Sequence, residues 1–234
     1  MAPHRRRGLL VSIFGPDGAG KTTHADLVAK HLASKGFKVK RAWVKSYHTL
    51  AYVLSKLYAK LSPRSVELNA YGNIIGIHPL RRGRFSKKLW AWLECLSILP
   101  KALLSVIMPV KAGCIVVADR YVLDSIASIA YTLRRPDFAE SLPARLLLAL
   151  IPTGSVLIYV DAPSHEIARR RGRLADPEGY LEAFRSTCRE LARRLNAPTI
   201  DTSRLSVEQA HGLIVKLVDE VVDAGLNSRP HKRT

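Results

Sequence analysis

Gly15-Pro16-Asp17-Gly18-Ala19-Gly20-Lys21-Thr22-Thr23 follows directly on an apolar run, Leu9 to Phe14. It is a complete G-x-x-x-x-G-K-T phosphate-binding loop, set between the strand and the helix that such a loop requires. Glycines at 15, 18 and 20 let the backbone curl so that consecutive N–H groups face the phosphates, and the positive end of the next helix adds to them. The nine residues are therefore expected to hold the triphosphate of a nucleotide. Lys21 would reach its β and γ phosphates. Thr22 would offer a hydroxyl to Mg²⁺, because a phosphoryl group in transfer needs its spreading charge met by a fixed cation and fixed donors.

A chain of 234 residues with 47% hydrophobic composition can bury a full core. One domain is expected over 1–234, with a basic N-terminal arm at 1–7 and a basic C-terminal tail at 226–234. Cys95, Cys114 and Cys188 form no CxxC pair and leave one cysteine over, which argues against a disulfide framework and a zinc site. The 8 histidines show no HExxH or related spacing. Cytoplasmic location is the default. The opening MAPHRRRGLLVSIFGPDG sets basic residues before an apolar run as a signal peptide does, but the run is brief and leads straight into the loop. Two longer apolar stretches, Leu89 to Val117 and Leu146 to Val160, are interrupted by Glu94, Pro100, Lys101, Pro109 and Lys111, and by Pro152. Neither is read as a span of about 20 residues, so no membrane partner is expected.

The formal charge of +18 predicts attraction to polyanions. It gathers in His4-Arg5-Arg6-Arg7, in Arg81-Arg82-Gly83-Arg84 with Lys87 and Lys88, in Arg169 to Arg173, and in the tail from Arg229. Nucleotide phosphates account for the third cluster. The terminal runs read as solvated charge, and no zinc-finger, aromatic RNA-binding or basic heptad pattern favours a nucleic-acid partner.

Strand and helix signals alternate along the chain. Strands are expected at Leu9 to Phe14, Phe37 to Trp43, Cys114 to Ala118, Ser155 to Val160 and Thr199 to Ile200. Helices are expected at Lys21 to Ser34, Tyr47 to Leu61, Lys88 to Leu99, Pro100 to Met108, Asp124 to Leu133, Pro143 to Leu150, from Ser164 or His165, and from Gly179 to Leu195. Ser206 with Gln209 forms a capping box for a closing helix that runs to about Ala224. The order predicts an α/β fold of the P-loop NTPase type: a five-stranded parallel sheet, helices on both faces, and ligands at the carboxyl ends of the strands.

Further candidate residues lie at those strand ends. Asp119 directly follows an apolar strand and can hold the Mg²⁺ shell, beside Arg120, which can grip a phosphate bidentately, and Tyr121, which packs or hydrogen-bonds. A structural ion pair is the plainer account of the same residues. Arg169, Arg170, Arg171 and Arg173 lead into a Gly- and Pro-containing loop and suit an arginine-rich lid closing over the triphosphate, or else a solvated helix face. Asp17 either orients an acceptor or a metal-bound water, or caps the following helix. Lys45, Ser46 and His48 sit at the rim where an acceptor phosphate could bind, though each alone reads as a surface residue.

With these residues in hand, the chain resembles the thymidylate kinase family of nucleoside monophosphate kinases from Leu9 to about Val222. GPDGAGKTT looks like that family's phosphate loop, including the acid at Asp17. DRYVLDSIA from Asp119 is similar to its DRY signature with a following serine, here Ser125. Val160-Asp161-Ala162-Pro163 with Arg170 beyond resembles its strand-end element and first lid arginine, and Ile200-Asp201-Thr202-Ser203 its late turn near the adenine. The resemblance implies ATP as phosphoryl donor with Mg²⁺ held by Thr22 and Asp119, and transfer to a nucleoside monophosphate, dTMP giving dTDP. It implies that Asp17 helps position the acceptor, that Asp119, Arg120, Tyr121, Ser125 and Lys45 serve the acceptor side, and that Arg170, Arg171 and Arg173 serve the lid. Position 18 is glycine where some members carry a catalytic arginine, which shifts that burden to the lid.

The acceptor side departs from the family pattern. Ala42-Trp43-Val44-Lys45-Ser46 replaces an arginine-and-proline element, Trp90 to Cys95 lacks the expected arginine-bearing segment, and Ser128 and Ile129 stand where an aromatic and a polar residue are usual. Two alternatives therefore stay open: a kinase for another nucleotide or a small phosphorylated metabolite, and a nucleotide-dependent ATPase that binds nucleic acid. Apolar helix faces around Leu89 to Met108 are core-forming first and candidates for homodimer pairing second.

Overall fold

β1, Leu9–Phe14, is buried along almost its whole length, as a run without charged residues flanked by strands on both sides must be. The computed structural model describes residues 8–44, 50–69, 72–81, 83–172, 176–177 and 179–227, with the side chains of 81 and 225–227 excepted. In chain order, β1 is followed by α1 (Lys21–Ser34), β2 (Val39–Ala42), α2 (Leu50–Leu61), β3 (Val66–Leu68) and β4 (Ile74–Ile77). Next come α3 (Arg84–Ala102), a π-turn (Leu103–Ile107), α4 (Met108–Lys111), β5 (Ile115–Asp119), α5 (Val122–Thr132) and α6 (Leu142–Leu148). β6 (Val156–Asp161), α7 (Ser164–Arg171), α8 (Tyr180–Arg194), β7 (Thr199–Asp201) and α9 (Val207–Asn227) complete the order.

Five strands form one parallel sheet in the order β2-β5-β1-β6-β7. β1 sits at its centre, with Val11 opposite Val117 of β5 and Val156 of β6. Alternate residues supply the two cores, as the period of two in a strand requires. Leu10 and Phe14, with Val116, Ala118 and Tyr159, face a layer containing α3, α5, α6 and α8. Val11 and Ile13, with Val117, Ile158 and Val160, face α1 and α9. The expected five-stranded parallel sheet with helices on both faces is therefore present.

Two expectations need correction. The segment between Leu61 and Arg84, where no strand was expected, contains an antiparallel hairpin, β3 with β4. The two helices split at Pro100 are one helix, α3, with Pro100 inside it. The helical path then continues through the π-turn, where the Met108 N–H reaches back to the Leu103 carbonyl, directly before Pro109, which has no N–H to give. By length and composition alone the run Arg84–Lys111 suffices to cross a membrane. Ala91, Cys95, Ile98, Ala102 and Val106 on it are buried in the core, as in the core helix of a folded domain, whereas Phe85, Leu89, Leu96, Leu103, Leu104 and Met108 stay exposed. Ser206 and Gln209 close the expected capping box: the Ser206 N–H donates to Gln209 Oε1 at 2.9 Å and the Gln209 N–H to Ser206 Oγ at 3.2 Å.

Candidate active site

The loop leaves β1 through Gly15, whose φ of +139° belongs to glycine and whose Cβ, if present, would run into the Val160 carbonyl of β6. That close approach seats the loop on the sheet. The Gly15 N–H donates to Asp124 Oδ1 at 3.4 Å, and Asp124 Oδ2 accepts from the Tyr121 N–H at 3.3 Å. A fully buried carboxylate on the first turn of α5 thus ties the start of the loop to the segment after β5. Gly20, in the left-handed region, is the N-cap of α1, so the loop delivers its backbone to a helix N-terminus where N–H groups lack intrahelical partners. Lys21 is 4% exposed, with Nζ donating to the Pro16 carbonyl at 2.7 Å and to Asp17 Oδ1 at 3.2 Å. Burial, and then the charge of Arg120, lower its pKa against the pull of Asp17, Asp124 and Asp119.

A cavity of about 560 Å³ opens over this loop. Asp17, Gly18, Gly20, Lys21, Thr22 and Thr23 line one part of it, Asp119 and Arg120 the end of β5, Arg170 the α7 side, and Trp43, Asn69 and Asn73 the remainder. The Thr22 hydroxyl donates to Asp119 Oδ2 at 2.6 Å. Asp119 Oδ1 is buried with no hydrogen-bond partner among the described residues, so this oxygen-only pair has unused acceptor capacity. No cluster of three or more His, Cys, Asp or Glu suited to a metal occurs among the described residues.

Arg120 follows β5 with φ of 76°, an uncommon backbone state for a residue with a side chain. Its Nη2 pairs with Asp17 Oδ1, and its Nη1 is buried without a hydrogen-bond partner among the described residues. Burial opposes its charge, but Asp17, then Asp124 and Asp119, outweigh burial and raise its pKa. A cation so held stays charged at every accessible pH and still has donor capacity.

On the α7 side, Arg170 Nη1 donates to Thr202 Oγ1 at 3.0 Å and to the Gly18 carbonyl at 3.4 Å, while Nη2 donates to the Thr202 carbonyl at 2.7 Å. Thr202 in turn donates to the Ala19 carbonyl at 3.1 Å, so the turn after β7 clamps both loop and arginine. Arg171 pairs with Asp176, each side chain 6% exposed. Its stem lies over Gly18, where a Cβ would come within 3.2 Å of Arg171 Cδ. A second chamber of about 340 Å³ lies beyond Gly18 and Gly20, walled by His24, Arg170, Thr202, Leu205, Ser206 and Ala210 among others.

Of the residues singled out in the sequence, Asp17, Gly18, Gly20, Lys21, Thr22, Thr23, Asp119, Arg120 and Arg170 meet at one cavity. Tyr121 and Ser125 are not brought to it. Both are fully buried, the Tyr121 hydroxyl donating to the Leu150 carbonyl at 2.8 Å and Ser125 Oγ to the Tyr121 carbonyl at 3.5 Å. Lys45, Ser46, His48, Arg82 and Arg173 lie outside the described residues, as do the terminal arms at 1–7 and 228–234. Asn69 and Asn73 were not singled out, and Trp43, Asp124 and Thr202 entered only as parts of longer stretches, with no role of their own. Asp124 had a signal, an acid three residues after Tyr121, where a first-turn carboxylate meets unpaired N–H groups.

Asp161 at the end of β6 anchors α8. Arg185 grips it bidentately, Nε to Oδ1 at 2.8 Å and Nη2 to Oδ2 at 3.1 Å, and Arg189 adds a bond at 3.2 Å. Burial raises the carboxyl's pKa, but the Arg185 hydrogen bond and charge prevail and hold it below the ordinary range. Its stabilising contribution is complete above the ordinary carboxyl pKa and is lost as pH falls through the depressed folded-state value. Asp161→Asn is expected to destabilise the fold by about 3 kcal/mol at neutral pH, leaving Arg185 buried and under-paired, and to flatten the acid limb of stability. Urea unfolding of both proteins from pH 7 to pH 3 measures both effects.

No protein-family model matches the chain. It is 27% identical over 221 residues to a protein of Pyrococcus abyssi named probable thymidylate kinase, covering 91% of this chain and 96% of that one. It is 26% identical over 221 residues, with the same coverage of each, to a probable thymidylate kinase of Pyrococcus horikoshii. With its parallel sheet, and a loop of phosphate-binding pattern seated where its central strand ends, the chain has the α/β fold of a P-loop kinase and is similar along nearly its whole length to proteins named probable thymidylate kinase.

Proposed function

We propose that the protein transfers the γ-phosphoryl group of ATP to dTMP, giving dTDP and ADP. The observation that carries this reading is the shared cavity in which Lys21, Thr22 and Asp119 stand with Arg120 and Asp17. An oxygen of the acceptor phosphate attacks the γ-phosphorus, the bond to the bridging β–γ oxygen breaks, and ADP leaves with that electron pair. Little covalent chemistry falls to the protein, so positioning and charge do the catalysis. Lys21 meets the β and γ oxygens and exchanges its bonds to Pro16 and Asp17 for them. Arg120, fixed by Asp17, holds the acceptor phosphate in line, and Arg170 with the arginines beside it adds positive charge over the group in flight.

Thr22 and Asp119 suit a hard cation, since both donors are oxygens and Asp119 Oδ1 lacks a partner among the described residues. Bound there, Mg²⁺ would neutralise the β and γ oxygens. Asp119→Asn is accordingly expected to raise the Mg²⁺ needed for half-maximal rate by about 10- to 100-fold, with turnover partly restored at high Mg²⁺. An unchanged Mg²⁺ titration would remove Asp119 from the metal's surroundings. The ATP base is assigned to the chamber beside Thr202 and Ser206.

The unit of activity is proposed to be one cytoplasmic domain, and the exposed leucines of α2 and α3 are the surface on which a homodimer would form. A second reading, with another nucleotide as acceptor, has support in Trp43, Asn69 and Asn73, which wall the cavity where the family's acceptor pattern departs. A panel of nucleoside monophosphates assayed for ADP and for the matching diphosphate decides between them. ATP hydrolysis stimulated by DNA or RNA with no diphosphate formed would instead favour a nucleic-acid role for the basic surface.

A further inference from the structure

The polar groups of Thr202 and Ser206, which wall the chamber beyond Gly18 and Gly20, are spent within the protein. Thr202 Oγ1 accepts from Arg170 Nη1 at 3.0 Å and donates to the Ala19 carbonyl at 3.1 Å. The Thr202 N–H donates to the Asp161 carbonyl at 2.9 Å, and the Thr202 carbonyl accepts from Arg170 Nη2 at 2.7 Å. Ser206 is engaged in capping α9: its hydroxyl donates to Glu208 Oε2 at 2.8 Å and accepts from the Gln209 N–H at 3.2 Å. Leu205, Val207 and Ala210 add apolar wall. Thr23 and Arg170 line this chamber too, but also the cavity over the loop, where the phosphates are proposed to lie. His24 differs from all of these. It lines this chamber and not the cavity over the loop, it is 2% exposed, and its Nδ1 is buried with no hydrogen-bond partner among the described residues. Its ring stands beside the loop, where a Cβ on Gly20 would lie 3.5 Å from His24 Cδ2. Burial, and then the charge of His211, lower its pKa, so the imidazole is neutral at pH 7.

We propose that His24 is the side chain that meets the donor's base in this chamber, and that the chamber takes adenine and guanine with little preference, so that GTP serves as phosphoryl donor alongside ATP. This rests on the kinase reading above and extends its donor side. Adenine carries an amine donor where guanine carries a carbonyl acceptor. A site with fixed polar partners rejects one of them by leaving its own buried groups unpaired, whereas apolar walls separate similar ligands only weakly. A neutral imidazole has one N–H and one bare nitrogen, and the proton can sit on either. It accepts from the adenine amine in one tautomer and donates to the guanine carbonyl in the other. The triphosphate, common to both nucleotides, stays with the loop.

The test uses the full chain, with affinities for ATP, GTP and inorganic tripolyphosphate measured by isothermal titration calorimetry in Mg²⁺ without acceptor. ATP and GTP should bind the wild type within about tenfold of each other, and with dTMP as acceptor each should yield dTDP. A larger preference for ATP would overturn the proposal without any variant. His24→Leu, checked by circular dichroism and thermal melting, should weaken ATP and GTP alike by about 5- to 10-fold and leave tripolyphosphate, which has no base, unchanged. His24→Gln keeps a donor and an acceptor and should hold both nucleotides within about threefold of the wild type. Unchanged nucleotide affinity in a folded His24→Leu, or a loss shared equally by tripolyphosphate, would remove His24 from the base. Equal binding of ATP and GTP by a protein that phosphorylates no nucleotide would support the chamber's assignment while overturning the kinase reading.

Discussion

Replacing Lys21 with alanine is expected to lower kcat about a thousandfold, near 4 kcal/mol of transition-state stabilisation, while the protein keeps its melting behaviour and circular dichroism. Lys21 is the ammonium group buried in the loop itself, bonded at 2.7 Å to the Pro16 carbonyl and within 3.2 Å of Asp17. Burial and the charge of Arg120 disfavour its charge and lower its pKa, the setting of an ammonium group whose present partners an anion can replace. The β-sheet core does not depend on it. Leu10, Val11, Ile13 and Phe14 before the loop and Ala25, Val28 and Leu32 after it are completely buried without its help. Steady-state rates at saturating ATP and acceptor measure the loss, and full turnover in the folded variant would remove Lys21 from the chemistry.

Arg120→Met should affect the acceptor and the fold together. kcat/KM for the acceptor should fall at least about a hundredfold, near 3 kcal/mol, with the KM for ATP changing much less. Stability should fall by about 3 kcal/mol or more, because Asp17 would lose its guanidinium partner and Asp124 and Asp119 a neighbouring positive charge. Arg120→Lys should not restore the acceptor kinetics, since an ammonium cannot reproduce the two-pronged fork. Arg120→Gly separates the causes. It relieves the left-handed backbone at φ 76°, so a smaller stability loss with an equal kinetic loss would assign the kinetic effect to the guanidinium. An equal rise in the KM values of both substrates would instead point to collapse of the loop.

The loop proposed to hold the phosphoryl donor was legible as a structure because its residues are contiguous and its pattern is physical. Gly15 through Thr23 follow an apolar strand, and α1 begins at Lys21 as that spacing predicts. Asp119 and Arg120 could be found because a strand end announces itself by the stop of its apolar run. Trp43, Asn69 and Asn73 could not, since they meet only through the fold. β3 and β4 have 3 and 4 residues, too few to establish an alternation, and the Asn and Gly between them read as loop. Pro100 misled for another reason. Its missing N–H weakens a helix locally, but the buried face from Ala91 to Val106 spans it, and that continuous burial holds the helix together. Tyr121 and Ser125 were chosen from the likeness of DRYVLDSIA to the family's DRY signature with its following serine. The residue bonded to the loop is Asp124, one position before the serine.

The most direct test of the central claim is to mix the protein with ATP, Mg²⁺ and dTMP and to quantify dTDP against ADP. The account predicts equal amounts of the two, both formed about a thousandfold more slowly when Lys21 is alanine. ADP released without dTDP, at a rate indifferent to dTMP, would contradict it.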